Sequence, residues 1–241
     1  MHAADLQLEL VVAATGAPAA ELCQASKVYG AFAALRNVSV TFNPGSCTMI
    51  LGENGAGKST LLRMLAGLLA PTHGTVAVFG SRPEAHRHRI AYMSHAPMLY
   101  DELSAIENLN YFSSLKGEGW CACTGSAEMS LRAVGLDPNL KRPVGQYSQG
   151  MRQRTSLARV LQADPELLLL DEPFSNLDVD SARLMVDLLA DFRTWPVMNG
   201  QPGGGKRTIL LTTHQAHLGN PIADSVLHMR AGKIISSEQH A

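Results

Sequence analysis

The chain has 241 residues, of which 46% are hydrophobic and 17% charged, so it can bury the core of one large domain or of one domain with a subdomain. Twenty basic residues stand against twenty-one acidic ones, for a formal net charge of −1. This balance argues against a dedicated nucleic-acid binder, which usually carries a basic excess or stripe.

The N-terminal stretch contains one short apolar run, LELVVAA, without the basic flank of a secretory signal. No segment of the sequence reaches the roughly 18 to 20 unbroken apolar residues that a membrane-spanning helix needs. We therefore expect residues 1–18 to form a partly ordered extension. We also expect a soluble, cytoplasmic chain that reaches a membrane only through a partner.

Strand-like and helical patterns alternate along the chain. NVSVTF and SCTMILG are strand-like, KSTLLRMLAGLL has apolar residues at helical spacing up to Pro71, and GTVAVFG is again strand-like. Two further strand patterns, LLLLDEP and TILLTTH, flank the helical SARLMVDLLADF. The alternation predicts an α/β fold with a largely parallel sheet.

The middle of the chain, roughly residues 94–162, is mainly helical in pattern and predicts a subdomain inserted into a domain of residues 19–241. Two loops interrupt the later half of the sequence. KGEGWCACTG holds Cys121 and Cys123, whose spacing fits neither a zinc site nor a thioredoxin-like motif, so a loop without metal or haem is favoured. TWPVMNGQPGGGKR is typical of a flexible surface loop.

The strongest motif is GENGAGKS, which matches G-x-x-x-x-G-K-[ST] and lies between a predicted strand and a predicted helix. Its glycines allow backbone N–H groups to turn inward on a phosphate, and the helix N-terminus adds a partial positive charge. Lys58 would reach the β- and γ-phosphates, and Ser59 would ligate Mg²⁺. The alternative is a glycine turn that only caps a helix. The predicted nucleotide-binding residues in this segment are Gly52, Glu53, Asn54, Gly55, Ala56, Gly57, Lys58, Ser59 and Thr60.

The second motif is LLLLDEP, in which four leucines predict a buried strand that ends in two acidic residues. Asp171 would hold the Mg²⁺ shell, and the Glu172 carboxylate could polarise an attacking water. An Asp-Glu pair after an apolar strand is weak evidence alone, because many sheets end in acids. Together with a phosphate loop, it indicates a nucleotide-hydrolysing site.

The two motifs together resemble the ATP-binding subunit of an ABC transporter, and the resemblance extends from about Glu21 to Lys233. It implies a P-loop NTPase core with a mostly parallel sheet, N-terminal antiparallel β strands and an inserted helical subdomain. The implied cofactors are ATP and Mg²⁺. The implied partners are a second copy of the chain, joined through two sandwiched ATP molecules, and integral-membrane subunits that hold the chain at the cytoplasmic face of the inner membrane. No nucleic-acid partner is implied.

The same resemblance assigns roles to residues outside the two motifs. Tyr29 in KVYG matches the aromatic residue that stacks on adenine, and Asp178 ends the SNLD loop that crosses the dimer interface. His214 in TTHQ matches the histidine that contacts the γ-phosphate. The implied catalytic set is therefore Lys58, Glu172 and His214. The alternatives are an ordinary strand-edge aromatic for Tyr29 and an ordinary histidine for His214.

The family's signature L-S-G-G-Q is represented by the altered segment YSQGM. Gln149 replaces the first glycine and Met151 replaces the glutamine, while Ser148 and Gly150, the residues needed nearest the phosphate, remain. The resemblance implies that Ser148, Gln149 and Gly150 bind the nucleotide held by the other subunit. Ser148 could instead serve only as a helix N-cap.

His95 stands where most of the family has a glutamine that contacts Mg²⁺ and water and whose loop meets the membrane partner. An imidazole nitrogen can accept or ligate as well, and it would make coupling sensitive to pH near neutrality; alternatively, His95 only packs at the subdomain hinge. SHAPMLYDELSAIENLNYF, DEPFSNLD and LLTTHQ together resemble the ATP-binding subunit of the haem exporter of cytochrome c biogenesis. A general exporter of drugs or lipids and a soluble nucleotide-gated ABC module are the alternatives.

Overall fold

A computed structural model describes residues 17–115, 126–195 and 207–239. The predicted N-terminal extension falls almost wholly outside these ranges. The two cysteines of the CAC sequence lie outside the described residues, as does most of the predicted glycine-rich loop. The division into an extension, a main domain and a helical subdomain therefore remains a prediction.

The described strands form two sheets. A three-stranded antiparallel sheet has the order β2-β1-β4, and a six-stranded sheet has the order β5-β6-β7-β3-β8-β9. In the larger sheet all neighbouring pairs are parallel except β8 with β9. The strands are β1 (Ala20–Tyr29), β2 (Phe32–Phe42), β3 (Cys47–Leu51), β4 (His73–Val78), β5 (Ile90–Met93), β6 (Leu167–Asp171), β7 (Thr208–Thr213), β8 (Ser225–Arg230) and β9 (Lys233–Gln239).

Helices cover the larger sheet and fill the middle of the sequence. The α-helices are α1 (Lys58–Leu65), α2 (Ala105–Ser114), α3 (Ala127–Ala133), α4 (Gln149–Leu161), α5 (Val179–Thr194) and α6 (Ala216–Gly219), and short 3₁₀ segments occur at Pro83–Arg89 and Val144–Gln146. The predicted fold class, a P-loop core with a mostly parallel sheet, antiparallel N-terminal strands and helices in the middle of the chain, is confirmed. None of the helices in the described ranges is long and apolar enough to cross a membrane.

Helix α1 ends at Leu65, earlier than the apolar pattern up to Pro71 suggested. Gly67 adopts a left-handed φ of 68°, and its N–H donates to the carbonyl of Met64. The next N–H, of Leu68, donates to the carbonyl of Arg63. This pair of bonds is a Schellman motif, which closes a helix at a residue that tolerates left-handed backbone.

Strand β6 divides the core into two layers. All five residues of LLLLD are buried, and successive side chains of a strand point to opposite faces. Leu168 and Leu170 belong to the cluster that includes the helices of the middle segment, whereas Leu167 and Leu169 pack with α1 and the antiparallel sheet. Burial on both faces explains why this strand is a continuous apolar run rather than an alternating pattern.

Arg207 anchors the start of β7 inside the protein, with only 2% of its surface exposed. Its guanidinium donates to the carbonyls of Trp195 at 3.1 Å and Pro165 at 2.7 Å, and it pairs with the Asp164 carboxylate. It also lies 4.6 Å from the centre of the Phe192 ring. These contacts tie α5 and the turn before β6 to β7, so they hold adjacent central strands in register.

Candidate nucleotide site

The phosphate loop connects β3 to α1 and is pressed against neighbouring backbone. Gly57 has a φ of 101°, and a Cβ there would lie 2.6 Å from the carbonyl oxygen of Ala34. A Cβ at Gly52 would lie 2.4 Å from the carbonyl oxygen of Met229. Only glycine fits either position. The close contacts hold the loop in one conformation, which continues directly into the N-terminus of α1.

The Lys58 side chain is buried and bends back over the loop. Its ammonium donates to the carbonyl of Gly52 at 2.6 Å and to that of Glu53 at 3.3 Å. It also lies 3.4 Å from an oxygen of the Glu172 carboxylate. A cation is therefore fixed in the hollow that the loop encloses, where it can pair with the oxygens of a phosphate.

Asp171 ends β6 and is 2% exposed, with both carboxylate oxygens engaged. Its Oδ1 accepts from Ser59 Oγ and from Thr212 Oγ1, each at 2.9 Å. Its Oδ2 accepts from the phenol of Tyr92 at 3.1 Å. Burial raises the pKa of Tyr92 to about 12, so the phenol keeps its proton and acts as the donor.

Glu172 follows with an unusual backbone, because its φ is 55° although it is not a glycine. Its N–H donates to both the carbonyl and the hydroxyl oxygen of Thr212, at 3.2 and 3.0 Å. The carboxylate is thereby turned between Lys58 and His214, whose Nδ1 lies 3.0 Å from Oε2. Left-handed backbone at a residue of this kind costs roughly 1–3 kcal/mol and clusters at functional sites.

These groups border one cavity of about 650 Å³. Of the predicted site residues, those that line it are Glu53, Asn54, Gly55, Ala56, Gly57, Lys58, Ser59, Thr60, His95, Asp171, Glu172 and His214. The lining also includes residues that were not among the predicted site residues. Ser175 and Asn176 belong to the SNLD segment and Gln215 to TTHQ, whereas Phe32, Ala34 and Arg63 lie outside the quoted motifs. The predicted residues outside the lining are Tyr29, Gly52, Ser148, Gln149, Gly150 and Asp178.

Two aromatic residues lie at the turn between β1 and β2, and they differ in position. Phe32 is 60% exposed and lines the cavity, whereas Tyr29 is half-exposed and is not part of the lining. The ammonium of Lys27 lies 5.3 Å from the centre of the Tyr29 ring. The sequence motifs did not identify Phe32 as a site residue, although it lies only three residues after the KVY sequence that indicated Tyr29.

The signature segment lies where α4 and α5 begin side by side. Ser148 caps α4, accepting from the N–H of Met151 at 3.2 Å, and Asp178 caps α5, accepting from the N–H of Ser181 at 2.7 Å. Gly150 is buried, and a Cβ there would lie 2.3 Å from Ser181 Oγ. The two helix N-termini thus lie side by side outside the cavity lining, with the Ser148 and Asp178 residues exposed.

The metal-ligating chemistry of the cavity can be judged from its oxygen atoms. The Ser59 hydroxyl and the Asp171 carboxylate meet at 2.9 Å beside the phosphate loop. Mg²⁺ prefers oxygen ligands and is usually bound by one or two protein groups together with substrate phosphates. The residues present therefore fit a magnesium ion that enters with a nucleotide, and the exposed His95 lies on the same lining.

A phosphate loop, a buried lysine and an acidic strand end around one cavity define a P-loop nucleotide-binding ATPase. The family model described as ABC transporter matches residues 35–175, more than half of the chain. The chain belongs to the ABC transporter family, as an ATP-binding, ATP-hydrolysing domain.

Similar proteins differ in what their names describe. The ABC transporter ATP-binding protein NatA of Bacillus subtilis is 34% identical over 84% of this chain and 80% of its own length. A fluoroquinolones export ATP-binding protein of Mycobacterium tuberculosis is 35% identical over 84% of this chain, which spans 64% of that protein. The cytochrome c biogenesis ATP-binding export protein CcmA of Xanthomonas oryzae is 37% identical over 83% of this chain and 92% of its own length.

Solved structures support the fold. A dimeric ATP-binding cassette, MJ0796, in a post-hydrolysis state with ADP and Pi, matches with a TM-score of 0.78 and 23% identity over 91% of this chain and 98% of that chain. An ATP-binding subunit of an ABC transporter matches with a TM-score of 0.72 and 27% identity over 91% of this chain and 89% of that chain. The family places the chain among ATP-binding subunits of ABC transporters.

Proposed function

We propose that the chain hydrolyses ATP to energise a membrane complex that exports or delivers haem for cytochrome c maturation. The observation that carries this proposal is the similarity to CcmA, which covers 92% of that protein's length. A histidine in the cavity lining, His95, and the TTHQ sequence at the end of β7 agree with that subfamily. The similarity to a drug-export protein makes a general exporter of drugs or lipids the second candidate.

The proposed chemistry assigns one task to each cavity residue. Backbone N–H groups of the phosphate loop and the Lys58 ammonium hold the β- and γ-phosphates. Ser59 and Asp171 would hold Mg²⁺, which would neutralise charge on the transferring phosphoryl group. The Glu172 carboxylate accepts a proton from the attacking water, and His214, hydrogen-bonded to that carboxylate, orients it and contacts the γ-phosphate.

Head-to-tail pairing of two chains accounts for the predicted residues outside the cavity. Ser148, Gln149, Gly150 and Asp178 would meet the nucleotide held by the partner subunit, where the N-terminus of α4 offers N–H groups to phosphate. A glycine at position 150 is also required for packing, because the lack of a side chain allows α4 to approach α5. In this arrangement one protomer supplies the phosphate loop and its partner supplies the signature. The stacking partner of adenine is Tyr29, with Phe32 beside it.

His95 would couple this chemistry to membrane subunits at the cytoplasmic face of the inner membrane. It lines the cavity at the start of the segment that leads to α2, so it belongs to both the site and the helical middle of the chain. As an Mg²⁺ or water contact it replaces the glutamine amide with an imidazole, whose ring nitrogen can accept a hydrogen bond or ligate as well. His95→Gln is therefore expected to preserve hydrolysis when membrane partners are present.

The test is genetic complementation in a strain that lacks the chain. The wild-type chain should restore c-type cytochromes, detected by haem staining of separated proteins, and Glu172→Gln should not. An exposed matched change, Glu128→Gln, should restore them fully. Normal c-type cytochromes in the deletion strain, together with sensitivity to drugs or loss of lipid export, would contradict the haem assignment and favour the general exporter. Absence of any membrane phenotype would favour a soluble nucleotide-gated module.

A further inference from the structure

We propose that Tyr92 is a positioning residue that fixes the orientation of the Asp171 carboxylate and so sets how tightly the site holds Mg²⁺. The inference rests on the proposed function, because it assigns Asp171 to the magnesium shell. Tyr92 lies outside the phosphate loop, the LLLLDEP segment and the signature segment. It is half-buried on β5, the strand that precedes the segment containing His95.

Tyr92 and Asp171 lie on neighbouring strands, so the phenol reaches the carboxylate directly. Strands β5 and β6 are parallel neighbours, with Tyr92 opposite Leu169 and Met93 opposite Leu170. The phenol oxygen of Tyr92 donates to Asp171 Oδ2 at 3.1 Å. It also accepts from Arg63 Nε, on α1, at 3.4 Å. Tyr92 therefore connects a cation at the cavity wall to the acid at the end of β6.

The two oxygens of Asp171 are held from different sides. Ser59 and Thr212 both donate to Oδ1, so they restrain the carboxylate through one of its two oxygens and make no bond to Oδ2. The final torsion of an aspartate is broad and has no sharp staggered minima. The Tyr92 bond to Oδ2 restrains the second oxygen, so rotation about the Cβ–Cγ bond is opposed at both oxygens of the carboxylate.

The predicted consequence is specific to the metal. Removing hydrogen bonds from the groups around a ligating side chain typically costs 10–100-fold in metal affinity. Tyr92→Phe deletes the donor and keeps the ring, so the packing of β5 is retained. We expect the Mg²⁺ concentration at half-maximal effect to rise about 10-fold, the low end of that range, because Ser59 and Thr212 remain.

The experiment measures binding rather than turnover. A fluorescent ATP analogue is titrated into the purified full chain, first with EDTA and then at a series of Mg²⁺ concentrations. Binding of Mn²⁺ with ATP is followed by electron paramagnetic resonance. Tyr111→Phe is the matched control. It also deletes a phenol hydroxyl, but this hydroxyl lies on α2 and is hydrogen-bonded to Tyr100 rather than to a residue of the nucleotide site.

The expected result is that Tyr92→Phe binds nucleotide like wild type in EDTA but requires about 10-fold more Mg²⁺ or Mn²⁺, while Tyr111→Phe matches wild type in both conditions. Equal metal dependence of Tyr92→Phe and wild type would overturn the inference. A loss of affinity of the same size with and without metal would also overturn it, because that pattern indicates a packing role. Failure of the wild-type chain to bind nucleotide at all would instead contradict the proposed function.

Discussion

Replacing Glu172 by glutamine tests the proposed proton acceptor with the smallest change in shape. The side chain keeps its length and one carbonyl oxygen, but its affinity for a proton disappears. In the structure the carboxylate lies 3.4 Å from the Lys58 ammonium and 3.0 Å from His214 Nδ1, so it faces the hollow of the phosphate loop. Glu172→Gln is expected to abolish most hydrolysis and to leave nucleotide binding intact.

The magnitude follows from the role assigned to the carboxylate. A positioned general base contributes about 10²–10⁴-fold to a rate. Because each tenfold change in rate corresponds to about 1.36 kcal/mol, the activation barrier should rise by about 3–5 kcal/mol. The free energy of unfolding should change by less than about 1 kcal/mol, since glutamine inherits the same left-handed backbone strain and Lys58 retains its bonds to two loop carbonyls.

The assay is phosphate release at saturating Mg-ATP, combined with a separate binding titration. We expect kcat for Glu172→Gln to fall at least about 100-fold while the affinity for ATP is unchanged or improved, because a negative charge near the γ-phosphate is removed. The exposed Glu128→Gln serves as the control and should behave as wild type. If Glu172→Gln retained turnover within about threefold of wild type, the carboxylate would not be the proton acceptor.

Other predictions concern packing, stability and reactivity. Gly57→Ala and Gly55→Ala both place alanine in left-handed backbone, but only the Cβ of Gly57→Ala lies 2.6 Å from a carbonyl oxygen. In urea unfolding, Gly57→Ala should therefore show the larger decrease in the free energy of unfolding, and it should also lose nucleotide binding. Arg207→Met removes a buried, multiply bonded cation and should lower the unfolding free energy by about 3–5 kcal/mol, whereas the exposed Arg183→Met should change it by less than about 0.5 kcal/mol. Burial raises the pKa of Cys47 to about 12, so its reactive thiolate is scarce at pH 8; peptide mapping should find it unlabelled by a thiol reagent in the folded chain and labelled in urea.

Much of the fold could be predicted because local sequence and tertiary structure agree here. GENGAGKS requires a strand-turn-helix context, and the apolar run LLLLD matches a strand that is buried on both faces. These two segments meet because parallel strands β3, β7 and β6 end at the same edge of the sheet, with Asp171 opposite Thr212 and Leu51 opposite Thr213. The phosphate loop and the acidic strand end could therefore be combined from their two sequence motifs.

The remaining details depend on contacts between distant segments. The left-handed φ of Glu172 leaves no signal in LLLLDEP, because it follows from hydrogen bonds to Thr212, 40 residues later. Tyr92 contacts Asp171 across 79 residues of sequence, and its neighbours in AYMSH predict only a strand. The early end of α1 was signalled by Gly67, but the apolar residues beyond it continued the helical pattern and concealed the stop.

We expect ATP hydrolysis at this cavity to serve a membrane complex that handles haem. The most direct measurement is purification of the tagged chain from gently solubilised native membranes, followed by identification of its partners and of any bound pigment. We expect integral-membrane subunits together with haem, and ATP turnover that Glu172→Gln abolishes in the same complex. Recovery of permease subunits without haem would contradict the haem assignment, and recovery of the chain without any membrane subunit would contradict its role in a transporter.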